Sequence, residues 1–213
     1  MSISTHLPEK TVERLSIYRR SLMECLSKGK YYIYSHEIAK LHHITSVQVR
    51  RDIMLIAYTR KITKGYNVKE LIDLIGNIID TESGQNIAVL GVGNLGRALI
   101  GYFKGRRNKL TIVACFDVNP NKVKRHFSGV ECYHMDNLDE IIKKKKISIG
   151  IITVPPEKTV EVAKSLVESG IKGVLNYSST KISVPDNVFL EEFDMTSSLE
   201  KVAYFAKNIE LRE

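Results

Sequence analysis

The chain has 213 residues, of which 43% are hydrophobic and 26% are charged, a composition typical of a globular protein with one or two domains. No apolar run approaches the ~18 residues of a membrane-spanning helix, so no transmembrane helix is expected. The first residues lack the apolar stretch of a secretory signal. The three cysteines, Cys25, Cys115 and Cys132, are scattered, which argues against a disulfide framework and a zinc site and predicts a cytoplasmic protein.

The net charge of +8 lies entirely at the N-terminal end of the chain. Residues 1–69 hold 13 Lys and Arg side chains against 5 Asp and Glu, whereas the remainder is neutral. A small basic segment joined to a neutral one indicates that the first part contacts nucleic acid. A solvated basic surface is the alternative interpretation of the charge alone.

The basic segment begins with three predicted elements in quick succession. Apolar residues at helical spacing predict a helix over 9–27, and a short aromatic run predicts a strand over 31–34. Ser35 is placed to cap a second, short helix over 35–41. A connection of only a few residues then leads to a third helix.

The third helix begins after Thr45, which forms a T-x-x-Q capping box with Gln48. Two short helices joined by a tight turn, the second opening with polar and basic side chains, are typical of a helix-turn-helix domain. The basic residues 58–66 then predict a β-hairpin, the wing. The DNA-binding residues predicted on the third helix and the wing are Thr45, Ser46, Gln48, Arg50, Arg51, Arg60, Lys61 and Lys64.

A further capping box at Asn67 predicts one more helix, and the polar stretch 81–85 predicts a domain boundary. Beyond it, strands and helices alternate, which predicts an α/β domain with a parallel sheet covered on both faces. The predicted strands are 87–90, 110–116, 147–153, 173–176 and 188–192, and the predicted helices are 95–104, 138–145, 157–169 and 197–208. The predicted domains are 1–82 for DNA binding, 83–194 for nucleotide binding and 195–213 as a C-terminal helix.

A glycine motif follows the first of these strands. Gly91, Gly93 and Gly96 form G-x-G-x-x-G between an apolar strand and a helix, the order that a dinucleotide pyrophosphate requires. The first glycine permits the tight turn, the second lets the backbone approach phosphate, and the third lets the helix pack closely. The helix N-terminus supplies free N–H groups.

Asp117 ends the second strand, 21 residues after Gly96. A carboxylate there accepts hydrogen bonds from ribose hydroxyls and favours NAD(H) over NADP(H). The alternative role for Asp117 is a cap for a helix over 119–125, and the bases Lys122, Lys124 and Arg125 weaken the preference for NAD(H).

Residues suited to catalysis are hard to find in the sequence. Four of the six histidines lie in the basic segment, and about 130 residues suffice for the nucleotide-binding sheet with its helices but leave no separate substrate domain. Binding without turnover is therefore predicted, and the protein is not expected to be an enzyme.

The sequence resembles the Rex family, bacterial redox-sensing transcriptional repressors that bind DNA as homodimers and respond to the NADH/NAD+ balance. The resemblance runs from about Leu7 to Phe205. Its specific marks are VQVRRD at 47–52, GYNV at 65–68, LGVGNLGRAL at 90–99, FDVNPNKV at 116–123, VPP at 154–156 and GVLNY at 173–177.

The resemblance implies roles for particular residues. Arg50 and Arg51 fall where the recognition helix meets the major groove, Tyr102 lies near the nicotinamide, and Asp194 pairs with that tyrosine of the other subunit. Without the resemblance, Arg50 and Arg51 would be an exposed helix face, Tyr102 an ordinary helix aromatic and Asp194 an ordinary N-cap. The residues predicted to bind NADH or NAD+ are Gly91, Val92, Gly93, Asn94, Leu95, Gly96, Tyr102, Asp117, Val118, Thr153, Val154, Pro155 and Asp194.

The resemblance also implies a winged helix that binds an inverted-repeat DNA operator, release from it by NADH, and a C-terminal helix exchanged between the subunits of a homodimer. Two regions depart from the family. Three glycines of the family's wing are absent and Ile62 occupies its minor-groove arginine position, although Arg60, Lys61 and Lys64 keep the charge for phosphate contact. Ser178 and Ser179 replace the usual Ala-Pro near the nicotinamide.

Two alternatives remain at this stage. One is an NAD-dependent oxidoreductase that carries a basic N-terminal domain. The other is a DNA-binding protein that senses a different nucleotide, such as a CoA derivative, on a similar α/β domain. A comparison of ligands separates them, because only the predicted repressor responds to NADH in its DNA binding.

Overall fold

A computed structural model describes residues 7–58, 64–105 and 109–210, of which 208–210 are described by their backbone alone. The chain divides into two compact units, residues 1–82 and 83–213. They are called here the N-terminal unit and the C-terminal unit.

The N-terminal unit is mainly helical. A two-stranded antiparallel sheet pairs Tyr32 with Asn67 and Ile33 with Tyr66. The elements are α1 (Glu9–Ser27), β1 (Tyr32–Ile33), α2 (Ser35–His42), α3 (Ser46–Leu55), β2 (Tyr66–Asn67) and α4 (Val68–Ile79).

Local capping patterns explain where two of these helices begin. The Thr45 hydroxyl accepts a hydrogen bond from the Gln48 N–H at 3.1 Å, and the Asn67 side chain accepts one from the Glu70 N–H at 3.1 Å. Both caps were predicted. The predicted cap at Ser35 was wrong, because Ser35 is already helical and the extended residue before α2 is Tyr34.

The core of the N-terminal unit draws on every one of its elements. Helix α1 packs against α4, and α2 packs against α3, around side chains that are almost completely buried. The largest are Leu15, Tyr18, Leu22, Ile33, Ile38, Ile56, Leu71 and Ile75.

The C-terminal unit alternates strands and helices, as predicted. Short 3-10 turns at Met135–Asn137 and Pro156–Lys158 precede two of its helices. The elements are β3 (Gln85–Leu90), α5 (Asn94–Phe103), β4 (Leu110–Asp117), β5 (His126–Phe127), β6 (Val130–His134), α6 (Leu138–Lys144), β7 (Ile147–Ile152), α7 (Thr159–Glu168), β8 (Gly173–Asn176), β9 (Phe189–Glu192) and α8 (Met195–Glu210).

In the described part of the chain these strands form one seven-stranded sheet in the order β5-β6-β4-β3-β7-β8-β9. From β6 to β9 all pairs are parallel, and the order is that of a doubly wound nucleotide-binding fold, 3-2-1-4-5-6. The prediction of a purely parallel sheet missed β5 and β6, and β5 pairs antiparallel at the edge. Both strands are short and rich in polar residues, so periodicity does not reveal them.

Helices cover both faces of the sheet. Successive side chains of a strand point to opposite faces, so Ala88 and Leu90 of β3 join the cluster formed with α6 and α7. Ile87 and Val89 join the cluster that contains Ile100 of α5. The neighbouring strands β3 and β7 at the centre of the sheet lead to helices on opposite faces, α5 and α7, and ligands bind at such a point in folds of this type.

Helix α8 begins two residues before its predicted start. It carries large apolar side chains that are mostly exposed in the single chain, among them Leu199, Val202 and Phe205. Of the helices in the described ranges, none is long and apolar enough to span a membrane.

Candidate functional site

The turn after β3 has the geometry that its glycines predict. Gly91 has a φ of +93°, and a Cβ there would lie 2.8 Å from the Thr153 carbonyl oxygen. A Cβ on Gly96 would overlap the Gly91 carbonyl oxygen, so α5 packs against this turn only because residue 96 lacks a side chain. A Cβ on Gly93 would meet nothing within 4 Å, so this residue faces open space.

Helix α5 points its N-terminus at that open space. Gly93 is its N-cap residue, and the Arg97 N–H donates to the Gly93 carbonyl at 3.1 Å. The N–H groups in the first turn of a helix have no partner within the helix, and they carry its positive dipole end. The turn is therefore suited to bind the phosphate groups of a nucleotide.

Thr153, at the end of β7, holds the glycine turn from the neighbouring strand. Its N–H donates to the Leu90 carbonyl at 2.8 Å and its hydroxyl donates to the Gly91 carbonyl at 2.7 Å. The predicted site residues of β3 and β7 are thus hydrogen-bonded to one another.

Asp117 is a buried carboxylate at the end of β4. It accepts hydrogen bonds from the Val92 N–H at 2.9 Å, the Asn119 N–H at 2.9 Å and the Lys122 ammonium at 2.8 Å. Burial alone would raise the pKa of Asp117, but the bonds from Lys122, Asn119 and Val92 outweigh it, so the pKa lies below its usual value. The ionised acid therefore both closes the glycine turn and faces the pocket.

These residues line a pocket of about 650 Å³, within the size range of small-molecule and cofactor sites. It contains nine of the predicted nucleotide-binding residues, namely Gly91, Gly93, Asn94, Leu95, Asp117, Val118, Thr153, Val154 and Pro155. Sequence reasoning missed eight further lining residues, Phe116, Lys122, Met135, Asp136, Lys158, Glu161, Val162 and Ser165. Four of these recur at helical spacing across the start of α7, a signal visible only once the pocket is known.

Four predicted residues lie elsewhere. The Val92 side chain is fully buried beneath the turn, and Gly96 is enclosed by the turn and Thr153. Tyr102 is about half exposed on α5, with its ring 5.2 Å from that of Phe103. Val92 and Gly96 therefore pack against the glycine turn and do not line the pocket.

Asp194 caps helix α8. Its carboxylate accepts hydrogen bonds from the Ser197 N–H at 3.0 Å and the Ser197 hydroxyl at 2.6 Å. The hydrogen bond from the Ser197 side chain is the main reason that the pKa of Asp194 is lowered. Within the single chain Asp194 is therefore the N-cap of α8, which is the alternative role that the sequence predicted for it.

Ser178, which was predicted to lie near the nicotinamide, anchors the loop after β8. Its hydroxyl lies 2.7 Å from that of Thr159, the first residue of α7, and its N–H donates to the Asn176 side chain at 2.9 Å. The Ser178 hydroxyl is therefore a polar link between this loop and α7.

In the N-terminal unit, α2 and α3 form the predicted helix-turn-helix. The connection runs through His43, whose φ of 52° is left-handed, and the Ile44 N–H donates back to the Ala39 carbonyl at 3.1 Å. One face of α3 is buried through Val49 and Ile53, whereas Arg50 and Arg51 are exposed. The arginines are therefore positioned to contact a partner.

Thr45 and Ser46 lie at the start of α3. The Arg50 guanidinium donates a hydrogen bond to the Ser35 hydroxyl at 3.3 Å, which links α3 to α2. Lys64 is exposed next to β2. The predicted wing residues Arg60 and Lys61, with most of the predicted hairpin, lie outside the described residues.

Asp52 of α3 is fully buried and forms a network that sequence reasoning missed. It receives two hydrogen bonds from Arg14 of α1, both at 2.7 Å, one from Tyr18 at 2.8 Å and one from Gln48 at 3.0 Å. Burial would raise the pKa of Asp52, but the bonds from Arg14, Tyr18 and Gln48 lower it below its usual value. The ionised carboxylate locks α3 onto α1.

A helix-turn-helix unit and a doubly wound unit whose glycine turn is suited to phosphate are together typical of one class of protein, the DNA-binding regulators that carry a nucleotide site. Two family models match in the corresponding places. Residues 6–53 match "Putative DNA-binding protein N-terminus" and residues 82–180 match "CoA binding domain".

Full-length relatives narrow the class to one family. A redox-sensing transcriptional repressor Rex of Listeria welshimeri is 33% identical over 98% of this chain and 97% of its own, and one of Carboxydothermus hydrogenoformans is 37% identical over 93% and 95%. The chain belongs to the Rex family of redox-sensing transcriptional repressors. As the sequence predicted, the family is one of regulators rather than enzymes.

Solved structures agree along the whole chain. The crystal structure of RSP, a Rex-family repressor, in complex with beta-NAD+ and operator DNA matches with a TM-score of 0.89 at 30% identity, over 98% of this chain and 96% of that one. The structure of RSP in complex with beta-NADH matches with a TM-score of 0.85, over 98% of each chain. The two neighbours thus carry the two oxidation states of one ligand.

Proposed function

We propose that this protein is a DNA-binding transcriptional repressor that senses the NADH/NAD+ ratio and is released from its operator by NADH. The observation that carries the proposal is the combination, in one chain, of a phosphate-binding turn beside Asp117 and a capped recognition helix. The likeness to RSP bound to beta-NAD+ with operator DNA supports both halves.

In the C-terminal unit, the proposal assigns the pyrophosphate to the turn of Gly91, Gly93 and Gly96 and to the first N–H groups of α5. Asp117 accepts hydrogen bonds from the ribose; one of its oxygens, Oδ1, receives only the Asn119 N–H among the described bonds, which leaves acceptor capacity. Residues 153–155 also line the pocket.

Both oxidation states share these contacts, so the switch requires differential contacts at the nicotinamide end. We assign those to Tyr102 and to Asp194 of the other subunit. Asp194 is ionised and already ordered by Ser197, so it enters such a contact as a fixed acceptor.

In the N-terminal unit, the proposal assigns base contacts to the first turns of α3 through Gln48, Arg50 and Arg51, and phosphate contacts to Thr45, Ser46, Arg60, Lys61 and Lys64. The excess positive charge of this unit supports nonspecific attraction to DNA. Such a protein acts in the cytoplasm, which also suits its three free cysteines.

We further propose that residues 195–213 form a dimerisation segment that the subunits exchange. Leu199, Val202 and Phe205 lie at helical spacing and are 60–70% exposed in the single chain, a pattern that favours burial against a partner. A homodimer with two recognition helices matches an inverted-repeat operator.

The test is a mobility-shift titration on DNA from upstream of the protein's own gene, with NADH or NAD+ present. NADH is expected to release the protein and NAD+ to leave it bound. Because linkage is reciprocal, the same DNA must weaken NADH binding by the same factor. Equal NADH affinity with and without DNA would overturn the mechanism.

The matched control for DNA binding is the double variant Arg50→Ala, Arg51→Ala. Two lost base contacts reduce specific binding by at least ~30-fold, whereas NADH binding is unchanged because the substitutions lie in the other unit. An equal loss of both activities would point to misfolding.

A second candidate, a repressor that senses a CoA derivative, is favoured by one observation, the match of residues 82–180 to the CoA binding domain. A thermal-shift comparison of NADH, NAD+, NADPH and CoA separates the two, since a ligand that binds the folded state raises the melting temperature. The larger shift with CoA would replace the first proposal with the second.

A further inference from the structure

The amide of Gln48 has an orientation that the structure determines. Its Nε2 lies 3.0 Å from Oδ1 of Asp52. An ionised carboxylate only accepts hydrogen bonds, so the amino end of the amide must face it. The carbonyl oxygen of Gln48 and its second N–H are therefore left for other contacts.

The Asp52 anchor is itself immobile. Its side chain is completely buried, and both oxygens accept two hydrogen bonds. Arg14 and Gln48 donate to Oδ1, while Arg14 and Tyr18 donate to Oδ2. Rotation of this carboxylate would leave buried donors without partners, which is costly. The Gln48 amide is thus tied through Asp52 to helix α1.

Gln48 also lies in the right part of the recognition helix. It is the third residue of α3, and its N–H is bound to the capping hydroxyl of Thr45. Its side chain is half-buried at the edge of the face that exposes Arg51, three residues further along the helix. In helix-turn-helix proteins the N-terminal residues of this helix contact base edges.

We infer that Gln48 is a specificity-determining residue that reads adenine in the major groove, and that Asp52 is the positioning residue that presets its amide. The inference rests on the proposed DNA-binding function. Adenine offers an N6 donor and an N7 acceptor, which complement the carbonyl oxygen and the second N–H of Gln48. Guanine offers two acceptors, one of which would oppose that oxygen.

The hydrogen bond from Gln48 to Asp52 gives the buried network of Arg14, Tyr18 and Asp52 a role in DNA recognition. A free glutamine side chain loses rotamer entropy when it is immobilised on DNA. Here the folded protein has already immobilised it, so the contact with adenine is gained at a smaller entropic cost.

The test is a selection from duplexes with randomised inverted half-sites, using the full-length protein and sequencing the bound fraction. The wild type is expected to select adenine at one position of each half-site. Gln48→Ala is expected to lose that preference by about 5- to 150-fold at that position alone. Unchanged selection with Gln48→Ala would overturn the inference, since a purely structural Gln48 does not alter base preference.

A triple variant, Arg14→Met, Tyr18→Phe and Asp52→Leu, tests the positioning role. It replaces the buried ionic network by apolar groups of similar size, which often preserves stability, and leaves Gln48 without its anchor. The adenine preference is expected to fall between those of the wild type and Gln48→Ala. Retention of the full preference would overturn the role of Asp52.

Met54→Ala is the matched control on the same helix. Met54 is 75% exposed and contributes nothing to the four bonds of Asp52 among the described contacts, so the adenine preference should persist. Failure of the wild type to select any sequence would refute the proposed function itself, whereas selection without adenine dependence on Gln48 refutes only this inference.

Discussion

Replacing Asp117 by Ala tests the proposed centre of the nucleotide pocket, and the structure gives the size of the effect. The substitution removes three hydrogen bonds. The Val92 N–H is then left buried without its acceptor, at a cost of about 1–3 kcal/mol. Asn119 is an exposed residue, so its N–H is expected to gain water instead.

The ion pair with Lys122 adds less to the total. The Lys122 side chain is 32% exposed, so it reaches water when released, and such pairs contribute about 1 kcal/mol at most. The expected loss is therefore about 3 kcal/mol of unfolding free energy, or ~10 °C in melting temperature for a unit of this size.

The assay is urea unfolding followed by circular dichroism, with Lys122→Met as the matched control. Lys122→Met removes only the ion pair and should cost about 1 kcal/mol or less. A fluorescence titration should show NADH bound ~10- to 150-fold more weakly by Asp117→Ala, because a hydrogen bond to a charged group is lost. Equal unfolding curves for the two variants would refute the role of Asp117 in holding the glycine turn.

Three further predictions address other parts of the molecule. Gly96→Ala should abolish NADH binding, because its Cβ would overlap the Gly91 carbonyl. The control Gly101→Ala, on the same helix, should bind NADH normally and raise the free energy of unfolding by up to ~1 kcal/mol. Isothermal titration measures the binding of both variants, and thermal melts measure their stability. Because the pKa of Asp52 is lowered in the folded state, its contribution to stability is present above the unfolded value of about 3.9 and is lost as the pH falls further. Urea titrations between pH 7 and 2.5 should thus show a shallower acid loss for Asp52→Asn, and parallel profiles would exclude the effect. Val202→Glu should convert the proposed dimer to monomers in sedimentation velocity, while a surviving dimer would place the interface elsewhere.

Several parts of the fold follow from short-range patterns. The caps at Thr45 and Asn67 join residues three apart, so the sequence reveals them directly. The glycines of the turn also carry their own signal, since the required φ at Gly91 and the close packing at Gly96 admit little else. The cap at Ser35 was misjudged by one residue, because the start of α2 depends on backbone angles, extended at Tyr34 and helical from Ser35, that the sequence does not reveal.

Other features depend on residues that are distant in the chain. Asp52 bonds to Arg14 across 38 positions, Asp117 to Val92 across 25, and Thr153 to Gly91 across 62. The α7 side of the pocket and the burial of Asp52 against Arg14 and Tyr18 likewise could not be predicted from the sequence, because each arises where separate elements meet.

The sequence by itself determined most of the helices and strands, the glycine turn, the helix-turn-helix pattern and the family, because these depend on local spacing and on motifs that are read in chain order. Only the tertiary structure decided that Asp117 closes the glycine turn, that α7 completes the pocket and that a buried Asp52 presets Gln48. The physical reason is that a buried carboxylate must collect donors from wherever the fold supplies them, and parallel strands and packed helices bring those donors from distant segments.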